Sequence, residues 1–214
     1  MAGAPLNDAS KWAAAASYAS MVIDGGRYEL LADFDALWKV AYNNNKGSVA
    51  AIQYYTSGTG VSVMAVQSRS GNVGGESGWN YWTTTEAFMN EFPDTDKCKA
   101  ATFLTSIGGK DYPAFSAGKP YIKKWVDAGR DNFKDNNSRT NLNVLVIRFA
   151  DVLLIYAEAE NEANGPANAY TAINRVRDRA RLPALSGLTQ AQFRNSVRKE
   201  RTTSCLLNTA AVMT

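Results

Sequence analysis

The sequence predicts a mainly α protein, with helices toward both ends of the chain and, between them, an irregular, loop-rich lobe that contains short strands. Three observations carry this prediction. Apolar and small residues recur at helical steps over residues 9–23 and 147–201. Residues 44–146 are broken by Gly, Ser and Asn and hold only short β-favouring runs. The 214 residues, 45% hydrophobic, 20% charged and 11% aromatic, carry enough apolar side chain to build a core.

In chain order, Trp12, Ala16, Ala19 and Ile23 share one face of a helix over 9–23. Asp8 is its expected N-cap, because a carboxylate accepts from first-turn amides that lack intrahelical partners, and Asp24-Gly25-Gly26 stops it. A second short helix is expected over 33–42, with Phe34, Leu37, Trp38 and Ala41 facing inward. Val49, Ala51, Val61 and Val63 then lie in short β-favouring runs, and residues 71–78 hold four glycines. Thr83 and Glu86 have the spacing of a capping box, which predicts a helix of two to three turns ending near Pro93. Residues 108–141 have no regular pattern. They read as irregular structure anchored by Tyr112, Phe115, Tyr121, Trp125 and Phe133.

The C-terminal third is the most regular. Phe149, Val152, Leu153 and Tyr156 predict a helix over 147–163, with Ala157 and Ala159 small enough to admit a close partner. Asn164-Gly165-Pro166 is a three-residue link to a second, antiparallel helix marked by Ala169, Tyr170, Ile173, Val176 and Ala180, which stops near Pro183. A third helix starts at Thr189 (N-cap) with Gln192 at N3 and Leu188 and Phe193 as a hydrophobic staple, continues through Val197, and loses its pattern after Arg201.

Composition removes several chemistries. The chain has no histidine, which excludes Ser-His-Asp and Cys-His catalysis and the common zinc sites. Cys98 and Cys205 form no CxxC pair, and Gly58-Thr59-Gly60 lacks the later glycine and lysine of a phosphate cradle, so no metal and no cofactor is expected. The net charge of +3 is too small to argue for nucleic acid. Residues 175–201 do carry eight Lys or Arg against Asp178 and Glu200, but Arg175 and Arg179 fall opposite Arg177 and Arg181 on a helix, giving two narrow rows in place of one stripe. Asp151, Glu158, Glu160 and Glu162 on the preceding helix make ion pairing between helices the expected use of those arginines. The same carboxylates wrap around their helix and present no opposed hydrolytic pair, and Asp94 and Asp96 read as a cap or turn. The apolar run 144–159 is interrupted by Arg148, Asp151 and Glu158 and is too short and too charged to span a bilayer. The first residues contain no basic segment followed by an apolar run, so no secretory signal is read there.

Trp79-Asn80-Tyr81-Trp82 is the segment least like ordinary core. Three large aromatics and an amide directly follow a Gly-rich stretch. Flat rings beside amide groups suit stacking on sugar rings, and these four residues are the candidate ligand-binding set. The alternative use of the same rings is to plug the core beneath the loop.

Three ordered blocks carry a resemblance to a known family: Arg148-Phe149-Ala150-Asp151-Val152-Leu153-Leu154-Ile155-Tyr156-Ala157-Glu158-Ala159, then Ile173-Asn174-Arg175-Val176-Arg177-Asp178-Arg179-Ala180, then Arg198-Lys199-Glu200-Arg201. In order and spacing they resemble the R-aromatic-A-[DE]-V-L-L-x-Y-A-E-A, N-x-V-R-x-R-A and R-x-E-R blocks of the SusD/RagB family of Bacteroidetes outer-membrane glycan-binding lipoproteins. The resemblance marks Arg148, Tyr156, Glu158, Asn174, Arg177, Arg179, Glu200 and Arg201 as its structural motif. Weaker similarity extends to Gly25-Gly26-Arg27-Tyr28-Glu29-Leu30 and to Thr84-Thr85-Glu86-Ala87-Phe88 with Asp94 and Asp96.

The resemblance implies tetratricopeptide-type helix pairs with a ligand-facing lobe. It implies a non-enzymatic role: capture of oligosaccharide, or in some members peptide, at the outer-membrane surface and delivery to a SusC-type TonB-dependent transporter. Neither nucleic acid nor a cofactor is implied, and contact with the membrane is only through a lipid anchor that this sequence lacks. A helical-repeat scaffold binding protein or peptide partners is the alternative from another class. Family members are longer than this chain and continue after the third block with an acidic segment, whereas residues 202–214 contain no Asp or Glu. The expectation is therefore a central and C-terminal fragment, with residues 1–201 a partial domain (1–43 helical, 44–146 the ligand-facing lobe, 147–201 the C-terminal helices) and 202–214 an aberrant, frame-shifted tail.

Overall fold

The computed structural model describes residues 8–54, 67, 68, 70, 71, 78–107, 109–125 and 140–204. They belong to two compact units, one drawn from residues 1–32, 45–51 and 145–214 and the other from 33–44 and 52–144. Residues 33–44, grouped by sequence with the N-terminal helix, thus fold with the loop-rich unit.

The first unit is helical. A 3-10 turn, Ala9–Lys11, is capped by Asp8, whose carboxylate accepts the Ser10 N–H at 3.0 Å, and leads into α1, Trp12–Asp24. Ala16 and Ala19 form its buried face. The strand β1, Ser48–Ile52, pairs with β6, Val144–Arg148, which runs directly into α4, Phe149–Asn164. The expected helical start at 147 is corrected here. Val144, Val146 and Ile147 are β-branched and take up the strand, and Arg148 is the extended N-cap residue.

Helix α4 ends on Gly165, whose φ of 88° is one that a side chain rarely tolerates. The link to α5, Tyr170–Arg179, is longer than the expected three residues, because Pro166–Ala169 wind an extra turn closed by the Ala169 N–H on the Pro166 carbonyl at 3.0 Å. Helix α6 runs Gln190–Ser204 and so passes the expected stop at Arg201. The threonines there stay helical by satisfying their hydroxyls on the preceding turn: Thr202 Oγ1 donates to the Arg198 carbonyl at 3.1 Å and Thr203 Oγ1 to that of Lys199 at 3.3 Å. The rest of the expected tail, 205–214, lies outside the described residues, as does Cys205.

Helix α4 packs against α1, α5 and α6. Leu153, Ile173, Val176, Phe193 and Val197 are fully buried in that core, as the helical periodicity predicts, and so are Leu154 and Ala157, whereas Tyr156, placed on the same face by its spacing, is half-buried at the edge of the core. The near-complete burial of Ala157 and Ala159 fits their reading as close-approach positions.

The second unit is irregular with short strands. The expected helix over 33–42 is instead two 3-10 turns, Phe34–Trp38 and Val40–Tyr42, separated by an extended Lys39 and begun by Asp33, which accepts the Asp35 N–H at 3.0 Å. Trp38 meets Phe34 and Trp125 edge to face, and the buried Lys124 lies with its Nζ 5.1 Å from the Trp38 ring and 5.5 Å from that of Phe34. Helix α2, Glu86–Met89, is a single turn, and its cap is Thr85, not Thr83: Thr85 Oγ1 accepts the Phe88 N–H at 3.2 Å, while Thr83 bridges to Tyr121. Helix α3, Lys97–Thr102, is capped by Asp96 through the Cys98 N–H at 2.7 Å, and Asp94 pairs with Lys99, so both aspartates serve the backbone and surface.

Residues 103–122 are more regular than the sequence shows. Strand β2, Phe103–Leu104, pairs antiparallel with β5, Tyr121–Ile122, and β3, Ser106–Ile107, pairs with β4, Lys110–Asp111. Leu104, Phe115 and Tyr121 form a small core beneath them. Val61, Val63 and Phe133 lie outside the described residues.

Candidate functional site

Within the loop-rich unit, residues 79–82 form a short segment held on both sides. On one side the N–H groups of Tyr81 and Trp82 both donate to the Gln67 carbonyl, at 2.9 and 3.1 Å, and the Trp82 indole N–H donates to Gln67 Oε1 at 3.0 Å. On the other, the Ile122 N–H donates to the Trp82 carbonyl and the Thr84 N–H to that of Pro120, each at 2.9 Å. Asn80 has a φ of 57°, a left-handed conformation that Asn tolerates better than most residues. Its Oδ1 accepts both the Gly71 N–H at 3.1 Å and the Tyr121 hydroxyl at 2.5 Å. Tyr121 is fully buried, and that burial raises its phenol above the ordinary tyrosine value. A Cβ on Gly71 would stand 3.2 Å from the Gly78 carbonyl, so the small residue lets this part of the chain approach Asn80.

The clamp divides the four candidate residues. Trp79 is 44% exposed and Tyr81 68% exposed, with ring centroids 6.0 Å apart and planes inclined at 59°. Trp82 is half-buried with its one donor satisfied, and the Asn80 carbonyl oxygen is used internally. Trp79, Asn80 and Tyr81 are therefore exposed to solvent, while half-buried Trp82 and the bonded Asn80 oxygen hold the segment in place. Of the residues that build the clamp, Tyr121 was expected as an anchor and Gly71 as part of the glycine-rich stretch, while Gln67 carries no mark in the sequence. The one available signal is the Asn between two aromatics, a residue that favours left-handed turns.

The motif residues of the C-terminal third build the helical unit. Asp151 Oδ2 accepts the Arg148 backbone N–H at 2.7 Å and its Nε at 3.2 Å, and Oδ1 accepts Nη2 at 2.8 Å. From α5, three side chains at helical spacing fasten the chain between α5 and α6. The Tyr170 hydroxyl accepts the Leu188 N–H at 2.7 Å. Asn174 exchanges two bonds with the Leu185 backbone at 2.8 and 3.1 Å, and Arg177 Nε donates to the Pro183 carbonyl at 2.8 Å. Arg177 also reaches Glu200 at 3.0 Å.

Between α4 and α6, Glu162 pairs with Arg194 at 2.6 Å and Glu158 with Arg201 at 2.9 Å. Glu160 points elsewhere, accepting from Asn164 and Asn168 at 3.1 Å each. The expected pairing of the basic and acidic helices is thus realised mainly by α6 on α4. Arg175 instead lies 5.3 Å from the Phe149 ring, and Arg179 is half-buried at the end of α5. Half-buried Tyr156, whose phenol burial pushes up, lines a cavity of about 300 Å³ with Ser20, Asp24, Asn168, Thr171 and Arg175. At the start of α6, Thr189 and Gln192 form the predicted capping box, the Gln192 N–H donating to Thr189 Oγ1 at 3.3 Å and the Thr189 N–H to Gln192 Oε1 at 2.9 Å.

Among the described residues, no group of three or more His, Cys, Asp or Glu side chains converges to hold a metal ion, and no helix is long and apolar enough to cross a membrane.

Comparison with known proteins agrees with this fold. The model of the SusD family matches residues 108–204. SusD-like protein P25 of Formosa agariphila is 36% identical over 129 residues, which cover 58% of this chain and 23% of that protein. A SusD superfamily protein from Parabacteroides distasonis superposes with a TM-score of 0.81 at 26% identity, covering 96% of this chain and 46% of the other. Surface glycan-binding protein A from Bacteroides thetaiotaomicron, in complex with laminarihexaose, shares the fold with a TM-score of 0.75 at 17% identity over 92% of this chain and 48% of its own. The chain spans less than half the length of each of these proteins. The family match over residues 108–204, the superposition over nearly the whole chain and the packed motif residues of α4, α5 and α6 show that this chain is similar to SusD-family proteins in sequence and in fold.

Proposed function

We propose that this chain supplies a carbohydrate-binding surface to a non-enzymatic glycan-capture protein, and that Trp79 and Tyr81 are the groups that touch the sugar. One observation carries the reading: two large aromatic rings stand exposed on a segment whose backbone is bonded on both sides. Exposed aromatics cost solvation, and a segment braced to keep them in water suits a ligand that covers them. Sugar faces do so, because their C–H groups pack on rings while their hydroxyls stay wet. The laminarihexaose complex of a protein of the same fold supports this class of ligand.

In this reading, the loop-rich unit, residues 33–44 and 52–144, is the ligand-facing lobe of a partial domain. Delivery of the captured oligosaccharide to a SusC-type TonB-dependent transporter at the outer-membrane surface follows from the family resemblance. Residues 202–214 would be an aberrant tail, apart from the three residues that continue α6. The test is calorimetric titration of laminarihexaose and maltohexaose into the chain and into the folded Trp79→Ala/Tyr81→Ala variant. A loss of at least tenfold, about 1.4 kcal/mol, with an unchanged melting temperature is expected. Unchanged affinity in the folded variant would refute the assignment.

A second reading has its own observation. Tyr18 and Met21 on α1 are 72% and 66% exposed, a surface that a protein or peptide partner could cover. That reading predicts Tyr18→Ser to weaken protein association and to leave glycan titrations unchanged.

A further inference from the structure

We propose that the cavity between α1, α4 and α5 in the helical unit is a binding site for a small aminocarboxylate, a zwitterion with one carboxylate and one ammonium group. The cavity, of about 300 Å³, is walled by Ser20 and Asp24 at the end of α1, Tyr156 on α4, Asn168 just before α5, and Thr171 and Arg175 on α5. Two opposite charges face this space without meeting. Among the described residues neither Asp24 nor Arg175 makes an ion pair, with the other or with any third group. Elsewhere in the same unit Asp151, Glu158, Glu162 and Glu200 are each paired with an arginine.

The groups that face the cavity are braced from behind. The Ser20 hydroxyl donates to Asp24 Oδ2 at 2.7 Å, and the Arg175 guanidinium lies 5.3 Å from the buried Phe149 ring. Asn168 Nδ2 donates to the buried Glu160 carboxylate at 3.1 Å, so its Oδ1 is the atom left to bind. Burial first, then the charges of Glu160 and Asp24, holds the Tyr156 phenol above the ordinary tyrosine value, which keeps its hydroxyl a donor. Size and charge then choose the ligand. The volume is at the lower end for small-molecule pockets. A neutral ligand would take water from Asp24 and Arg175 and pair neither. A simple anion would answer Arg175 alone, and a simple cation Asp24 alone. An aminocarboxylate answers both: its carboxylate accepts from the guanidinium fork and its ammonium donates to Asp24. The hydroxyls of Thr171 and Tyr156 and the Asn168 oxygen serve the remaining lone pairs and protons.

The test is titration of the full chain, followed by NMR, with glycine, 4-aminobutyrate and 6-aminohexanoate. Butyrate and butylammonium serve as the half-ligands and glucose as the neutral control. The expected result is that at least one zwitterion binds at least tenfold more tightly than either half-ligand, and that the length bound best reads the span from Asp24 to Arg175. Asp24→Asn and Arg175→Gln, both at exposed positions, should each weaken that zwitterion at least tenfold with the melting temperature unchanged. Arg175→Lys keeps the charge but loses the fork, and should fall between wild type and Arg175→Gln. Should Arg175→Gln prove unfolded, Asp24→Asn decides alone. Binding of none of the zwitterions overturns the proposal. So does glucose or a half-ligand that binds as tightly as the best of them, or a zwitterion affinity unchanged by the substitutions in folded protein.

Discussion

The carboxylate of Glu162 accepts Arg194 Nε at 2.7 Å and Nη2 at 2.6 Å, a two-point contact that ties the last turns of α4 to the first turns of α6. The hydrogen bond from Arg194 is the largest influence holding the Glu162 carboxyl below the ordinary glutamate value of 4.5, with Asn161 adding a further donor. A depressed folded-state value means that the stabilisation is complete above the ordinary value and is lost as pH falls through the depressed one. Glu162→Gln is thus expected to cost about 1 kcal/mol at neutral pH, the upper end for a partly solvated pair, and to make stability less dependent on pH in the acid range. Urea titrations of both proteins at neutral and acid pH check this. Parallel acid limbs would show that another group dominates.

Arg148 and Asp151 form the corresponding contact inside the helical unit, and both are buried. Removing one member strands a charge away from water. Asp151→Ala is therefore expected to cost about 3–5 kcal/mol, whereas joint replacement by Met at 148 and Leu at 151 should cost less than the single change. Denaturant unfolding of the two variants decides the matter, and a double variant less stable than Asp151→Ala would contradict it.

Leu153 is fully buried on α4, within the core shared with α1, α5 and α6. Leu153→Ala should cost about 2–5 kcal/mol through lost burial and the cavity left behind. A change below about 0.5 kcal/mol, the size of an ordinary surface substitution, would mean that the α4 core is not packed as described.

The helices were legible where two independent signals coincide. Helix α6 announces itself through Thr189, Gln192 and a repeating apolar face, and all three are realised. Strand β6 was not legible, because a continuous apolar run such as Val144–Ile147 fits either a strand or the first turn of a buried helix until its partner β1 is known. Three consecutive threonines hid the start of α2: Thr83 has the right spacing to Glu86, but Tyr121, distant in sequence, takes Thr83 into a bridge and leaves Thr85 as the cap. The helix end at Arg201 was missed for a local reason, since threonine hydroxyls bonded to the preceding turn make a poor helix former acceptable. At the candidate site, the unusual character of residues 79–82 was visible, but the division into exposed rings and supporting residues was not. That division depends on Gln67, Gly71 and Tyr121, whose roles arise only when the chain brings them together.

The left-handed turn at Asn80 makes a prediction that separates conformation from hydrogen bonding. Asn80→Ala removes the acceptor used by Gly71 and by the buried Tyr121, and leaves at φ 57° a residue without the short polar side chain that lets Asn tolerate that conformation. The lost hydrogen bonding should cost about 1 kcal/mol, and the left-handed alanine about 1–2 kcal/mol more. Asn80→Gly loses the same acceptor but accepts the backbone angle without strain. It should therefore be the milder change by about 1 kcal/mol, reduced somewhat by the greater freedom glycine gives the unfolded chain. Tyr121→Phe supplies the third arm, since it removes the phenol's own hydrogen bonds, that to Asn80 among them, and leaves the residue at position 80 unchanged. Denaturant unfolding of the three variants should rank them with Asn80→Ala least stable. Equal losses for alanine and glycine at position 80 would mean that the turn does not require its left-handed residue.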